Sequence, residues 1–282
     1  MNECLLTNLT REVNEMKKYL YSEITEVVNP EDVDLKSFEL KDKLNDEFWH
    51  DGKLDIYVRK NLLQIAKDFV EGFEIDDIPV EDVIMTGSLA NYNWSEEYSD
   101  IDLHIISDFT EISDDKELVK NYFDAVRKAW NQKHEGLKIY GYPVEIYMQD
   151  KNEKHPSTGV YSVLNDEWVI EPSKENIEND NLDSEEIRTK ASEFMNEIDE
   201  LVDEINELKS NDAGNYDSYM NVYDKAENIM DRIKECRKMS LSGENEKEMS
   251  EGNLMFKSLR RNGYMEKIYN IKKESYDLAN SL

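Results

Sequence analysis

Two aspartates separated by one apolar residue, Asp100 and Asp102, open the short apolar segment 101–107. Alternating acidic and apolar residues predict a strand. Because successive side chains on a strand point to opposite faces, both carboxylates lie on the same face. Carboxylates held this close repel each other unless a cation joins them, and oxygen ligands favour hard ions such as Mg²⁺ or Mn²⁺. The pair therefore indicates a metal site. A solvated strand edge in an acid-rich chain is the alternative.

A third carboxylate that could join this pair is Glu145, about forty residues later. Its apolar neighbours Val144 and Ile146 point to the opposite face of a second predicted strand. If that strand lies beside the aspartates, Glu145 completes a triad able to hold two metal ions. An exposed strand position is the alternative for Glu145, and Asp150, at the end of the same segment, is a possible substitute for it.

Gly87 and Ser88 directly follow the apolar segment 83–86. A turn without a Cβ lets backbone amides and a hydroxyl approach phosphate oxygens. Together with the carboxylates, this turn supplies the parts for phosphoryl chemistry on a metal-bound nucleotide. For Ser88, a plain turn residue is the alternative.

The C-terminal segment 252–282 departs from the acidity of the chain, with six Lys and Arg against three acids. Lys257 and Arg261 fall four residues apart on one face of a predicted helix. A helical domain closing over a cleft could present both to phosphates. The competing interpretation pairs them with acidic neighbours and with the helix dipole.

Three other polar or aromatic residues lie near the aspartates in sequence. His104 shares their strand face and could approach the site, although a hydrogen-bonded structural histidine is the more common case. Asn93 and Trp94 lie in the spacer before the strand. Stacking of Trp94 on a base is conceivable, but a hydrophobic loop anchor is the favoured interpretation.

Hydrophobic periodicity predicts the elements that position these residues. Helices are predicted over 5–20, 55–73, 118–130, 187–208, 219–233 and about 248–262, with a last segment from 264 onward. Strands are predicted at 83–86, 101–107, 142–148, 160–164 and 168–170, the last two joined by a turn at 165–166. The predicted fold class is α+β, a sheet with helices packed on it. We expect an N-terminal helical extension (1–75), a central sheet domain (76–175) and a C-terminal helical bundle (176–282).

Composition narrows the classes of function. The chain has 282 residues, with 64 acidic against 34 basic side chains and a formal charge of -30. Such a surface repels phosphate backbones, which argues against broad nucleic-acid binding.

Two distant cysteines fit neither a disulfide framework nor a zinc motif, and neither a signal peptide nor an apolar run of membrane-spanning length is visible. We expect a cytoplasmic protein that does not bind membranes.

The order of these motifs resembles the nucleotidyltransferase superfamily that includes DNA polymerase β and the CCA-adding enzymes. The resemblance rests on Gly87-Ser88 after an apolar strand, the run Asp100-Ile-Asp-Leu103, and a later strand-borne carboxylate, and it covers roughly residues 80–150. The runs 89–94 and 98–100 are also similar to predicted, minimal nucleotidyltransferases of bacteria and their viruses. At the third carboxylate position this chain has Glu145, where many members have Asp.

The resemblance implies a polymerase-β-like sheet and the transfer of a nucleoside monophosphate from an NTP, such as ATP, to a hydroxyl, with release of pyrophosphate. It implies that Asp100 and Asp102 bind two Mg²⁺ or Mn²⁺ ions. Glu145 would bind the catalytic ion and help to deprotonate the acceptor. Ser88, with backbone amides near Gly87, would bind the β- and γ-phosphates. The active site would lie in a cleft between sheet and bundle.

The acceptor stays open: a small molecule, a protein side chain, a second nucleotide or a tRNA end. A synthase of a nucleotide second messenger is a competing enzyme interpretation. A catalytically silent NTP-binding or interaction protein, or an acidic mimic of nucleic acid, is the competing interpretation outside enzymes.

Overall fold

The computed structural model describes residues 27–73, 75, 78–153, 157–177, 182–211, 213–240 and 249–281. These residues divide into two compact units. The sheet unit takes the described parts of 35–182 and 240–254, and the helical unit takes those of 27–34, 183–239 and 255–281. The predicted helix over 5–20 lies outside the described residues. No described helix combines the length and apolar character that a membrane crossing requires.

The sheet unit is built on six strands in the order β5-β6-β4-β3-β7-β8, with a separate two-stranded hairpin of β1 and β2. The strands are β1 (Trp49–His50), β2 (Lys53–Leu54), β3 (Asp82–Thr86), β4 (Ile101–Ser107), β5 (Lys138–Ile139), β6 (Tyr142–Asp150), β7 (Val160–Ser162) and β8 (Glu167–Ile170). All neighbouring strands of the large sheet pair antiparallel except β4 and β6, which are parallel. The predicted strand at 101–107 is confirmed at both ends.

Helices of the sheet unit precede, separate and follow the strands of the large sheet. They are α1 (Ile56–Glu71), α2 (Phe109–Ile112), α3 (Lys116–Lys133) and α4 (Lys174–Ile177). Asp55 caps α1 by accepting from the amides of Tyr57 and Val58, and Asp115 caps α3 by accepting from that of Leu118. The apolar faces of α1, α2 and α3 join one core with the inward side chains of β4. That core includes Val58, Leu62, Phe69, Ile101, Leu103, Ile105, Val119 and Phe123.

The helical unit contains long amphipathic helices whose buried stripes have the predicted spacing. They are α5 (Ser184–Ser210), α6 (Tyr216–Ser240) and α8 (Tyr264–Asn280), while α7 (Glu251–Arg261) begins in the sheet unit and ends here. α5 and α8 are joined at the buried Asp199, which accepts from the Tyr264 hydroxyl at 2.8 Å and from Lys267 at 2.6 Å. Gly263, with φ of 76°, separates α7 from α8, where the sequence predicted a helix end.

The α+β class is confirmed. The predicted three-part division and the two observed units use different boundaries, since α1 belongs to the sheet unit and contributes to its core. The predicted turn at 165–166 joins β7 to β8, with Asp166 at a φ of 61°.

Candidate functional site

Three carboxylates meet at the amino ends of the parallel strands β4 and β6. Asp102 lies opposite Glu145 in the register of the two strands, and Asp100 directly precedes β4. Ile101, Leu103 and Ile105 are buried in the core, so the intervening Asp102 lies on the other face of the sheet. One oxygen from each of Asp100, Asp102 and Glu145 can be chosen so that all three lie within 4.8 Å of one another. The structure thus brings together the three side chains that the sequence singled out.

Gly87 lets the backbone approach this cluster closely. Its φ of 76° and ψ of -163° lie in a region that is accessible almost only to glycine. A Cβ at this position would stand 1.9 Å from Oδ2 of Asp102. The register explains the contact, because Thr86, the last residue of β3, pairs with Asp102. The sequence predicted a close approach to phosphate at Gly87, and the observed close approach is to a carboxylate.

Ser88 begins a 3₁₀ turn, Ser88–Ala90, immediately after Gly87. Its hydroxyl lies 2.7 Å from that of Ser99, which also accepts from the amide of Ser95 at 2.9 Å. Since Ser99 directly precedes Asp100, this network ties the turn after β3 to the residue before β4. Sequence reasoning gave Ser99 no role beyond its place in the run 98–100.

Tyr147 is a neighbour of the triad that sequence reasoning missed. It lies two residues after Glu145 on β6, and its hydroxyl donates a hydrogen bond to Oε2 of Glu145. Burial raises the pKa of Tyr147, and the negative charges of Glu145 and Asp102 raise it further, so the phenol stays protonated as a donor. The two-residue period of a strand could have identified this residue from the sequence.

His104 is opposite Tyr147 in the register of β4 and β6, and the two rings stack with centroids 4.9 Å apart and planes 19° apart. The guanidinium carbon of Arg127, on α3, lies 4.7 Å from the centroid of the Tyr147 ring. His104 therefore contacts a side chain that is hydrogen-bonded to the triad.

The remaining predicted residues occupy other places. Asp150 lies at the far end of β6, where Lys116 pairs with it at 3.0 Å, so it does not replace Glu145. Trp94 donates its indole N–H to the carbonyl of Lys43 at 3.0 Å and packs against the core, which agrees with a loop anchor. Asn93 is buried.

Lys257 and Arg261 lie on α7, in the part that belongs to the helical unit, and both are half-buried. Their assignment to phosphate binding stays a prediction.

The donor set of the triad suits a hard divalent cation. Three carboxylates supply only oxygen atoms, at separations that one or two ions can bridge. The site is half-buried rather than fully exposed, which strengthens the attraction between these charges and a cation.

Comparison with known families agrees with this geometry. The nucleotidyltransferase domain family matches residues 62–211, more than half of the chain, and the matched range contains Gly87, Ser88 and all three carboxylates. The chain belongs to the nucleotidyltransferase domain family. No curated protein and no solved structure matches it.

Proposed function

We propose that this protein transfers a nucleoside monophosphate from an NTP to a hydroxyl acceptor and releases pyrophosphate, in a reaction that depends on Mg²⁺ or Mn²⁺. The observation that carries the proposal is the convergence of Asp100, Asp102 and Glu145 within 4.8 Å, next to the Gly87–Ser88 turn. The membership of the chain in the nucleotidyltransferase domain family supports it.

In this proposal the triad holds two divalent ions. When bound, such ions neutralise the charge of the triphosphate and lower the pKa of the attacking hydroxyl. Glu145 accepts the proton of the acceptor. The acceptor oxygen forms a bond to the α-phosphorus, the bond from the α-phosphorus to the bridging oxygen breaks, and the electron pair leaves with pyrophosphate.

The turn after β3 binds the phosphates that leave. The Ser88 hydroxyl and the peptide amides of this turn supply the polar contacts, and Gly87 places them beside the triad by its close approach to Asp102. Lys257 and Arg261 are proposed as further phosphate contacts, supported by their four-residue spacing on α7 and by the net positive charge of segment 252–282.

The test compares the wild type with Asp100→Asn and Asp102→Asn. Each substitution keeps the side-chain shape and removes one negative charge. We expect metal-dependent pyrophosphate release by the wild type with at least one acceptor from a panel of small hydroxyl compounds, peptides, nucleotides and tRNA. Both variants are expected to lose it. A control, Asp115→Asn, removes an exposed carboxylate that caps α3 and keeps a capping side chain.

Product analysis with all four NTPs and no added acceptor separates transfer to an outside acceptor from synthesis of a signalling nucleotide. Pyrophosphate release that persists in both Asp→Asn variants would falsify the assignment of the site. NTP binding without any product across the panel would favour the silent, NTP-binding interpretation.

A further inference from the structure

Glu145 is longer than an aspartate by one methylene and has one more rotatable bond. A strand fixes its Cα and Cβ but not the end of the side chain, so the carboxylate needs another contact to stay beside Asp100 and Asp102. That contact is the hydroxyl of Tyr147, which donates to Oε2 of Glu145. A carboxylate has about four lone-pair positions on its two oxygens, so accepting this hydrogen bond still leaves it able to bind a cation.

Tyr147 is itself held in place from two elements. His104 of β4 stacks on its ring at 4.9 Å, and Arg127 of α3 lies 4.7 Å from the ring centroid. The strand pairing that puts His104 opposite Tyr147 also puts Asp102 opposite Glu145. On both strands these residues are two apart and share a face. The pairing that brings Asp102 beside Glu145 therefore also brings His104 beside Tyr147.

We propose that Tyr147 is a positioning residue: its hydroxyl holds the Glu145 carboxylate in the orientation in which the triad binds a divalent cation, and His104 and Arg127 hold the Tyr147 ring. The inference rests on the proposed function, because it assigns the cation to the same triad. Tyr147 acts through Glu145, to which its hydroxyl donates.

The test measures Mn²⁺ binding to the full-length chain without nucleotide, by the paramagnetic resonance signal of free Mn²⁺. Tyr147→Phe keeps the ring and removes the hydroxyl. Loss of a group that orients a metal ligand lowers metal affinity by roughly 10- to 100-fold, and we expect a loss in this range.

The matched control is Tyr142→Phe. Tyr142 begins the same strand, is buried, and its hydroxyl accepts a hydrogen bond from Asn45 at 2.9 Å, away from the triad. This variant also loses one buried hydroxyl from β6. We expect its Mn²⁺ affinity to stay within about twofold of the wild type, well short of the loss at an orienting group.

A second background separates positioning from general damage to the sheet. In Glu145→Gln the carboxylate that Tyr147 orients is gone, so adding Tyr147→Phe is expected to change Mn²⁺ affinity no further. An equal loss in both backgrounds would mean that Tyr147 acts through packing, and would overturn the proposal.

The ring contacts have their own comparison. His104→Phe keeps a flat ring against Tyr147 and is expected to retain Mn²⁺ affinity, whereas His104→Ala removes the stack and is expected to weaken it. In turnover, Tyr147→Phe is expected to lower kcat more than it raises KM for the NTP, with recovery at higher Mn²⁺ concentration.

The outcomes distinguish this inference from the proposed function. If the wild type binds Mn²⁺ and Asp102→Asn does not, while Tyr147→Phe binds as tightly as the wild type, the positioning role is wrong and the metal site stands. If the wild type binds no Mn²⁺, the metal site itself is wrong and the positioning role is wrong with it.

Discussion

The acidic side chains at the two ends of the parallel strands β4 and β6 have different neighbours. At the carboxyl ends, each acid meets a lysine: Lys151 pairs with Asp108 at 2.8 Å, and Lys116 pairs with Asp150 at 3.0 Å. At the amino ends, Asp100, Asp102 and Glu145 converge on one another. Both ends belong to the same sheet and draw on the same acid-rich composition, so only the arrangement distinguishes them.

The pKa values of the two lysine-paired aspartates reflect this pairing. Hydrogen bonding to Lys151 and to Thr110 holds the pKa of Asp108 well below its usual range. Burial alone would raise the pKa of Asp150, but hydrogen bonds from Asn152 and Lys116 outweigh it and leave that pKa lowered. Lysine thus stabilises the charge at one end. At the other end, three carboxylates lie close together, and in the proposed function a divalent cation binds between them.

The largest effect is expected from Gly87→Ala. The new Cβ would stand 1.9 Å from Oδ2 of Asp102, in a backbone conformation that alanine rarely adopts. Because the carboxylate must move, we expect nucleotidyl transfer to fall by at least about 10³-fold, roughly 4 kcal/mol of barrier. Steady-state pyrophosphate release measures the loss.

Gly52→Ala is the matched control for that variant. Gly52 has a similar φ of 74°, with no heavy atom within 4 Å of an added Cβ. It carries the backbone strain without the clash, so stability should fall by about 1–3 kcal/mol while turnover stays near that of the wild type. If both variants lost turnover equally, backbone strain would explain the loss. The contact between Gly87 and Asp102 would then not be needed for activity.

An intermediate effect is expected from adding metal. A cation that binds only the folded protein stabilises it by about 2.7 kcal/mol at a concentration a hundredfold above its Kd. Mn²⁺ should therefore raise the free energy of unfolding of the wild type but not that of Asp102→Asn. Without metal, Asp102→Asn should be at least as stable as the wild type, because one of three repelling charges is gone. Urea denaturation with and without Mn²⁺ tests both statements.

Urea denaturation of Asp115→Asn with and without Mn²⁺ is the control. It shows whether the loss of any aspartate removes the stabilisation by Mn²⁺. That variant should respond to Mn²⁺ as the wild type does, since Asp115 caps α3 and lies outside the triad. A metal response that survives in Asp102→Asn would place the cation elsewhere.

Sequence reasoning reached the amino-end site because its signals are local. The alternation around Asp100 and Asp102 has the period of a strand, and Gly87 follows an apolar run, so the types and spacing of these residues sufficed. The parallel pairing that sets Asp102 opposite Glu145 is a contact over more than forty residues, and sequence reasoning stated it only as a condition: Glu145 joins the pair if its strand lies beside that of the aspartates.

The carboxyl end shows where that reasoning stops. The sequence offered Asp150 as a possible substitute for Glu145 because both are acids on one apolar segment. Its partner, Lys116, lies 34 residues earlier on a different element. No period or motif connects the two, so only the folded chain shows that this charge already has a lysine. Tyr147 was missed for a different reason, since its position on the strand was readable but its bond to Glu145 was not.

The smallest effect is expected from Asp108→Asn, which tests the lysine-paired end. Asparagine can still cap α2 through the amide of Thr110, so the variant mainly removes the charge that faces Lys151. The folded-state pKa of Asp108 lies below its usual value of 3.8, so its stabilising contribution is present above that pH and is lost as the pH falls through the folded-state value. Wild type and variant should therefore differ in urea midpoint at pH 7, and this difference should shrink progressively toward convergence as the pH falls below about 3.8. Asp115→Asn, a cap without a lysine partner among the described ion pairs, should show no such convergence; a pH-independent difference in Asp108→Asn would mean that the pair adds nothing to stability.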